Sequence, residues 1–162
     1  MGSGAFLCIM ANYGDLKEIL LSSCREYVRA RIATAEQAIA SARDAAGDDT
    51  KSSAGDKFET TREMMQQEID RNRQLLAEAR RMEQVLVAGF PASTQEQIRA
   101  GSLVETNQGL FFICISIGLL RADGTDCYVI SADSPLARQL LGKREGDCVM
   151  FNNRAYQIKG HY

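Results

Sequence analysis

Hydrophobic and polar positions follow two regimes along the chain. Between Gly14 and Gly47, and again between Gly55 and Gly89, there is neither Gly nor Pro, and apolar residues recur every three or four positions. Ala, Leu, Glu, Arg and Gln dominate both segments, so propensity and period agree on long helices. In the first, Leu21, Val28, Ile32, Ala35, Ile39, Ala42 and Ala46 keep the four-three spacing of a coiled-coil seam, which Arg25 interrupts. The second answers with Met65, Ile69, Leu76 and Ala79, beside a parallel row of Leu75, Met82 and Leu86. A short connection between two such helices makes them antiparallel neighbours. At ~1.5 Å per residue each would extend roughly 45–50 Å. The spacing predicts a coiled-coil hairpin over residues 14–88 with its tip at 47–55.

Past Leu86 the period changes. Ala88-Gly-Phe-Pro-Ala-Ser93 is a turn signal that ends the helix, and it predicts a linker over 89–100 in which 94–100 make a short helical turn. Residues 101–162 then alternate short apolar runs with turn pairs. Strands are predicted over Leu103–Thr106, Leu110–Ile117, Thr125–Ile130, Cys148–Phe151 and Ala155–Lys159, with turns at Asn107–Gly109, Asp123-Gly124 and Asn152-Asn153. Ser134 as N-cap, Pro135 at the first helical position and Gly142 at the end predict a short helix between the third and fourth strands. Strands joined by short turns predict an antiparallel sheet with the helix over one face. The expected class is α+β, a helical hairpin followed by a small sheet domain.

Charge and composition narrow the chemistry. The 162 residues hold 19 Lys and Arg against 21 Asp and Glu, a net charge of −2. That balance argues against a domain that grips nucleic acid by neutralising phosphates, so contact with RNA or DNA is expected only through a protein partner. Cys8, Cys24, Cys114, Cys127 and Cys148 are scattered and lack a C-x-x-C pair, which fits reduced thiols and not a zinc site. No run approaches the ~18 apolar residues of a membrane span. A cytoplasmic location follows as the expectation. Residues 1–13 hold a brief apolar run without a basic region or a cleavage site, and are expected to be a disordered leader. His161 is the single histidine and lies beside the last residue, where a frayed end is expected, so Ser-His-Asp or Cys-His chemistry has almost nothing to draw on. No intrinsic cofactor and no activity in isolation are expected.

The hairpin tip is acidic. Asp44, Asp48, Asp49 and Asp56 are opposed within residues 44–56 by Lys51 alone. A capping account covers part of this, with Gly47 as a helix C′ residue and Asp56 with Glu59 as an Asp variant of the capping box. Asp48 and Asp49 escape it, because they follow a helix C-terminus, where the dipole disfavours negative charge.

A resemblance enters at Tyr128-Val-Ile-Ser-Ala-Asp-Ser-Pro-Leu-Ala-Arg-Gln-Leu-Leu-Gly-Lys-Arg-Glu-Gly-Asp147. With the strand hairpins on either side, this stretch resembles the C-terminal, FKBP-like domain of bacterial Gre transcript-cleavage factors. The likeness spans residues 101–162. Along the hairpin it is one of architecture, since Gre factors carry an antiparallel coiled coil ahead of this domain. The resemblance implies a factor that binds RNA polymerase at the rim of its secondary channel and sends the coiled-coil tip toward the active centre; a monomer is the separate expectation. The resemblance places docking on Ser131, Asp133, Ser134 and Pro135. In cleavage-competent members an Asp and a Glu three residues on stand in the tip loop, where they help the polymerase hold a second Mg²⁺. Here Lys51 follows Asp48 at that interval and Ser52 follows Asp49, while Asp56 and Glu59 keep the spacing on the second helix. Mg²⁺ takes oxygen ligands, often one or two carboxylates with waters and phosphate. Asp48 and Asp49 are thus candidate ligands of an ion shared with the polymerase, Asp56 and Glu59 further tip candidates, and Lys51 a partner for a polymerase carboxylate or an RNA phosphate. Assisted cleavage and cleavage-free inhibition or retuning of the polymerase both remain open. Two other classes stand beside them: an FKBP-like prolyl isomerase or peptide-binding module, which needs an aromatic-lined cleft, and a coiled-coil oligomerisation module.

Overall fold

The computed structural model describes the backbone of residues 3–49, 55–91 and 96–162, and within these the side chains from Tyr13 onward except at 48, 49 and 55–58. Two long helices come first, α1 (Ser3–Asp49) and α2 (Gly55–Ala88). They are followed by β1 (Leu103–Thr106), β2 (Gly109–Cys114), β3 (Gly118–Ala122), β4 (Thr125–Ser131), α3 (Pro135–Leu140), β5 (Cys148–Phe151) and β6 (Arg154–His161). The class is α+β, as the patterning predicts. Several boundaries differ. Gly14 and Gly47 both lie inside α1, which begins at Ser3 within the expected leader. An isolated Gly costs a helix ~1 kcal/mol against Ala without breaking it when good helix formers flank it. Asp56, expected to cap α2, lies inside that helix. Gly89 does end α2, with φ of 70° and its N–H donating to Val85 O at 3.2 Å.

The chain divides into two compact units, residues 26–84 and residues 1–25 with 85–162. In the first, the later part of α1 and most of α2 form the antiparallel hairpin. Glu36 meets Arg80 at 2.8 Å, while Ile39 and Ala42 pack with Met65, Ile69 and Leu76, so partners descend α2 as they ascend α1. The α2 seam runs Met65, Ile69, Asn72, Leu76, Ala79. Asn72 is only 6% exposed, and its Nδ2 donates to Glu68 O at 2.8 Å and to Glu68 Oε1 at 3.2 Å. A satisfied polar residue in a seam favours one register at some cost in stability. Leu75 belongs to the outer surface instead.

The second unit is built on a six-stranded sheet in the order β3-β4-β2-β1-β6-β5. The pairing is antiparallel except between β2 and β4, which are parallel with Phe111 opposite Tyr128 and Ile113 opposite Ile130. The expected purely antiparallel sheet is therefore mixed. The cause is β3, a strand the patterning passes over: it takes the sheet edge, so that β4 returns between it and β2 in the direction of β2. Asp123-Gly124 and Asn152-Asn153, all with positive φ, are two-residue hairpin turns where the sequence places them.

Strand alternation sorts the sheet into two apolar faces. One holds Val104, Phe111, Ile113, Tyr156 and Ile158, covered by Leu136, Ala137 and Leu140 of α3. Ile98, from the expected linker, joins this core. Its N–H donates to Lys143 O at 2.8 Å and its carbonyl accepts from Gly142 N at 2.9 Å, and residues 96–100 are not helical, while 94 and 95 of the expected helical turn lie outside the described residues. The other face holds Leu103, Phe112, Cys114, Cys127 and Val129, all buried. The first part of α1 lies on it. Tyr13 stacks on Tyr162 with ring centroids 4.5 Å apart, and Lys17 Nζ donates to Tyr162 O at 3.4 Å. That contact sets the phase of the helix: the buried row is Leu16, Leu20, Cys24, one position away from the predicted Leu21 and Arg25. His161, expected to fray, is the last residue of β6 and pairs with Val104.

Candidate docking turn and hairpin tip

The turn between β4 and α3 is fixed from both sides. Ser134 N donates to Ser131 O at 3.0 Å, closing the turn as β4 ends. The backbone of Ser134 is extended (φ −64°, ψ 149°) and its Oγ accepts from Ala137 N at 3.2 Å, an N-cap with Pro135 following in the first turn. Leu136, Ala137 and Leu140 then face the core, which anchors so short a helix. These constraints separate the four predicted docking residues. Asp133 and Pro135 are exposed, whereas Ser131 and Ser134 are half-buried and Ser134 spends its hydroxyl on the cap. The turn is a rigid presentation of one carboxylate and one pyrrolidine ring.

Two further side chains of this unit stand out. Leu119 of β3 is 58% exposed and Tyr128 of β4 is 43% exposed, and they are cross-strand partners. Tyr128 also stacks on Phe111 with centroids 5.4 Å apart, so its ring is held while one side faces solvent. The alternation Cys127 buried, Tyr128 exposed, Val129 buried was available in the sequence. Leu119 was not, because Gly118–Ala122 has no clear period and had no strand to be placed on.

At the tip, α1 ends at Asp49 and α2 begins at Gly55. Asp44 and Glu59 are exposed on the helices. The side chains of Asp48, Asp49 and Asp56, and all of Lys51, lie outside the described residues. Among the described residues no group of three or more His, Cys, Asp or Glu side chains is arranged to hold a metal ion, and no helix is long and apolar enough to cross a membrane.

No family model matches the chain, and no curated protein matches it. A solved structure does. It is described as "Structure of the transcription factor Gfh1", is 19% identical, and the match covers 85% of this chain and 92% of that one at a TM-score of 0.33. So loose an overlay carries no argument about function.

Proposed function

We propose that the chain is a Gre-like regulator that binds RNA polymerase at the rim of the secondary channel and admits its hairpin tip. The observation that carries this reading is the turn 131–135: Asp133 and Pro135 point outward from a strand-to-helix junction locked by the Ser134 cap. The same residues are those that the resemblance to Gre factors marks for docking. Exposed polar residues on a rigid turn are a more specific pointer to binding than core residues, which answer to packing. The helical hairpin of residues 26–84 supplies the second part that such a factor needs.

In this reading the protein holds no active centre of its own. Asp48 and Asp49 would offer oxygen ligands to a Mg²⁺ held mainly by the polymerase, and Lys51 would meet a carboxylate or a phosphate. Lys51 stands where the cleavage-competent pattern has an acid, so the baseline is binding with modulation of the polymerase. A peptide-binding or isomerase role needs a free aromatic cleft, and here Phe111, Tyr156 and Phe151 are packed on one another.

The test is to incubate the purified protein with core RNA polymerase and backtracked complexes. Co-migration with the polymerase is expected, and absence of binding at micromolar protein would end the proposal. Sedimentation across a dilution series separately checks the monomer, since an intramolecular hairpin does not respond to dilution.

A further inference from the structure

Most of one sheet face is covered by α3, and one end of it is not. Leu136, Ala137 and Leu140 pack with Val104 of β1, Ile113 of β2, Val149 of β5 and Ile158 of β6, while β4 adds only the half-buried Ile130 and β3 adds no residue. The helix therefore sits toward the β5 side of the order β3-β4-β2-β1-β6-β5. Six strands ~4.8 Å apart make a face roughly 24 Å wide. One helix with its side chains spans ~10 Å. The uncovered remainder is about one helix wide, and it is apolar. Tyr128 is 43% exposed and its cross-strand partner Leu119 is 58% exposed. Both stand on the α3 side of the sheet, because Tyr128 pairs with Phe111 and stacks on it, and Phe111 belongs to the core beneath α3.

The position of the ring restricts what can cover it. Tyr128 lies on β4, an interior strand, so a strand added to the free edge of β3 would pass beyond Leu119 and leave the ring bare. An element laid across the face covers both side chains. Charge is unequal at the two margins. Arg121 and Asp126 pair at 3.8 Å near the β3–β4 turn, whereas Asp133, just past the other end of β4, is exposed and takes no ion pair among the described residues.

We propose that Leu119 and Tyr128 are a second anchor of the polymerase contact, seating an amphipathic α-helix of the partner beside α3. This rests on the reading of residues 131–135 as a docking turn, and it assigns a contact to the face next to that turn. The helix lays an apolar stripe at i, i+3, i+4 spacing on Leu119, Tyr128 and Ile130, and brings a Lys or Arg to Asp133. A sheet buries its apolar face against a second layer, and here the partner completes the layer that α3 is too narrow to fill. Phe111 already holds the Tyr128 ring, so little side-chain freedom is lost when the helix seats.

The test titrates labelled full-length protein against core RNA polymerase. Leu119→Glu puts a charge on the patch at an exposed edge-strand position, so it should melt within about 2 °C of the parent and bind about tenfold more weakly or worse. Met150→Glu is the control. Met150 is 64% exposed on β5, at the opposite edge and on the face away from the Val149 core, and its variant should bind within about twofold of the parent. A benzophenone photoprobe at position 119 should cross-link to a helical segment of the polymerase. The inference is overturned, with the docking turn left standing, if Leu119→Glu binds as the parent does while Asp133→Ala binds more weakly. It is overturned also if the photoprobe maps to a strand or to nucleic acid, or if sedimentation shows that Leu119→Glu dissociates a dimer of this chain. No binding by the parent removes the proposed function itself, and this inference with it. Should Leu119→Glu melt early, Leu119→Ala replaces it, with a loss of about threefold or more expected and parental affinity overturning the inference.

Discussion

Replacing Asp133 and Ser134 separately should split binding from stability, although the two residues are adjacent. Ser134 Oγ accepts the Ala137 N–H at 3.2 Å, and Ala137 is fully buried, so Ser134→Ala leaves a donor where water has little access. Loss of such a cap costs about 1–2 kcal/mol. For a chain of this size that corresponds to a fall in Tm of roughly 2–8 °C. Asp133 is exposed and precedes the cap, so Asp133→Ala should stay within about 0.5 kcal/mol of the parent. Its effect should appear in binding, where loss of a central anchor weakens affinity by about tenfold or more, ~1.4 kcal/mol. Thermal melts and titration of labelled protein against core polymerase read the two effects independently. The reasoning fails if Asp133→Ala melts as early as Ser134→Ala, because the carboxylate would then be part of the turn. It fails equally if both variants bind as the parent does.

Other consequences follow from single contacts. Gly101 has φ of 91°, and a Cβ there would lie 2.5 Å from Phe90 Cβ, so Gly101→Ala should destabilise by more than about 2 kcal/mol, visible as a lowered urea midpoint. Burial and the neighbouring negative charge of Glu105 raise the Tyr13 phenol to about 12. The folded state therefore keeps a proton that the unfolded chain loses near pH 10, and this stability is whole below pH ~10 and falls as pH rises toward ~12. Tyr13→Phe should flatten the alkaline limb of a Tm-against-pH curve, and an unchanged limb would place the loss elsewhere. Replacing Asp48 and Asp49 together with Asn should leave polymerase affinity intact. If the tip carboxylates serve a shared Mg²⁺, the same change should abolish stimulated cleavage, with partial rescue at higher Mg²⁺. Cleavage that persists in the double variant would clear both residues of that role.

The hairpin was legible because its signal is long and periodic, and the α3 turn because Ser134, Pro135 and Gly142 each have a positional chemistry. The hairpin turns at Asp123-Gly124 and Asn152-Asn153 were legible for the same reason. The phase of α1 before residue 28 was not. A coiled-coil template places Leu21 and Arg25 in the seam, but this part of the helix belongs with the sheet unit, and its buried row is Leu16, Leu20 and Cys24. Asn72 escaped because a search for apolar positions skips a buried amide that satisfies itself on its own helix. The parallel β2–β4 pair escaped because β3 has no alternation to announce it, and one unseen edge strand reverses the direction of the strand that follows.

The most direct test of the central claim puts a photoreactive residue at Ser52 in the tip and, in a second protein, at Asp133. Each is irradiated in complex with RNA polymerase stalled on a backtracked template. The account predicts cross-links from position 52 to the active-centre region of the catalytic subunit or to the RNA 3′ end, and from position 133 to the rim of the secondary channel. Cross-links from position 52 confined to the outer surface of the polymerase, or none from either position in a complex that forms, would contradict it.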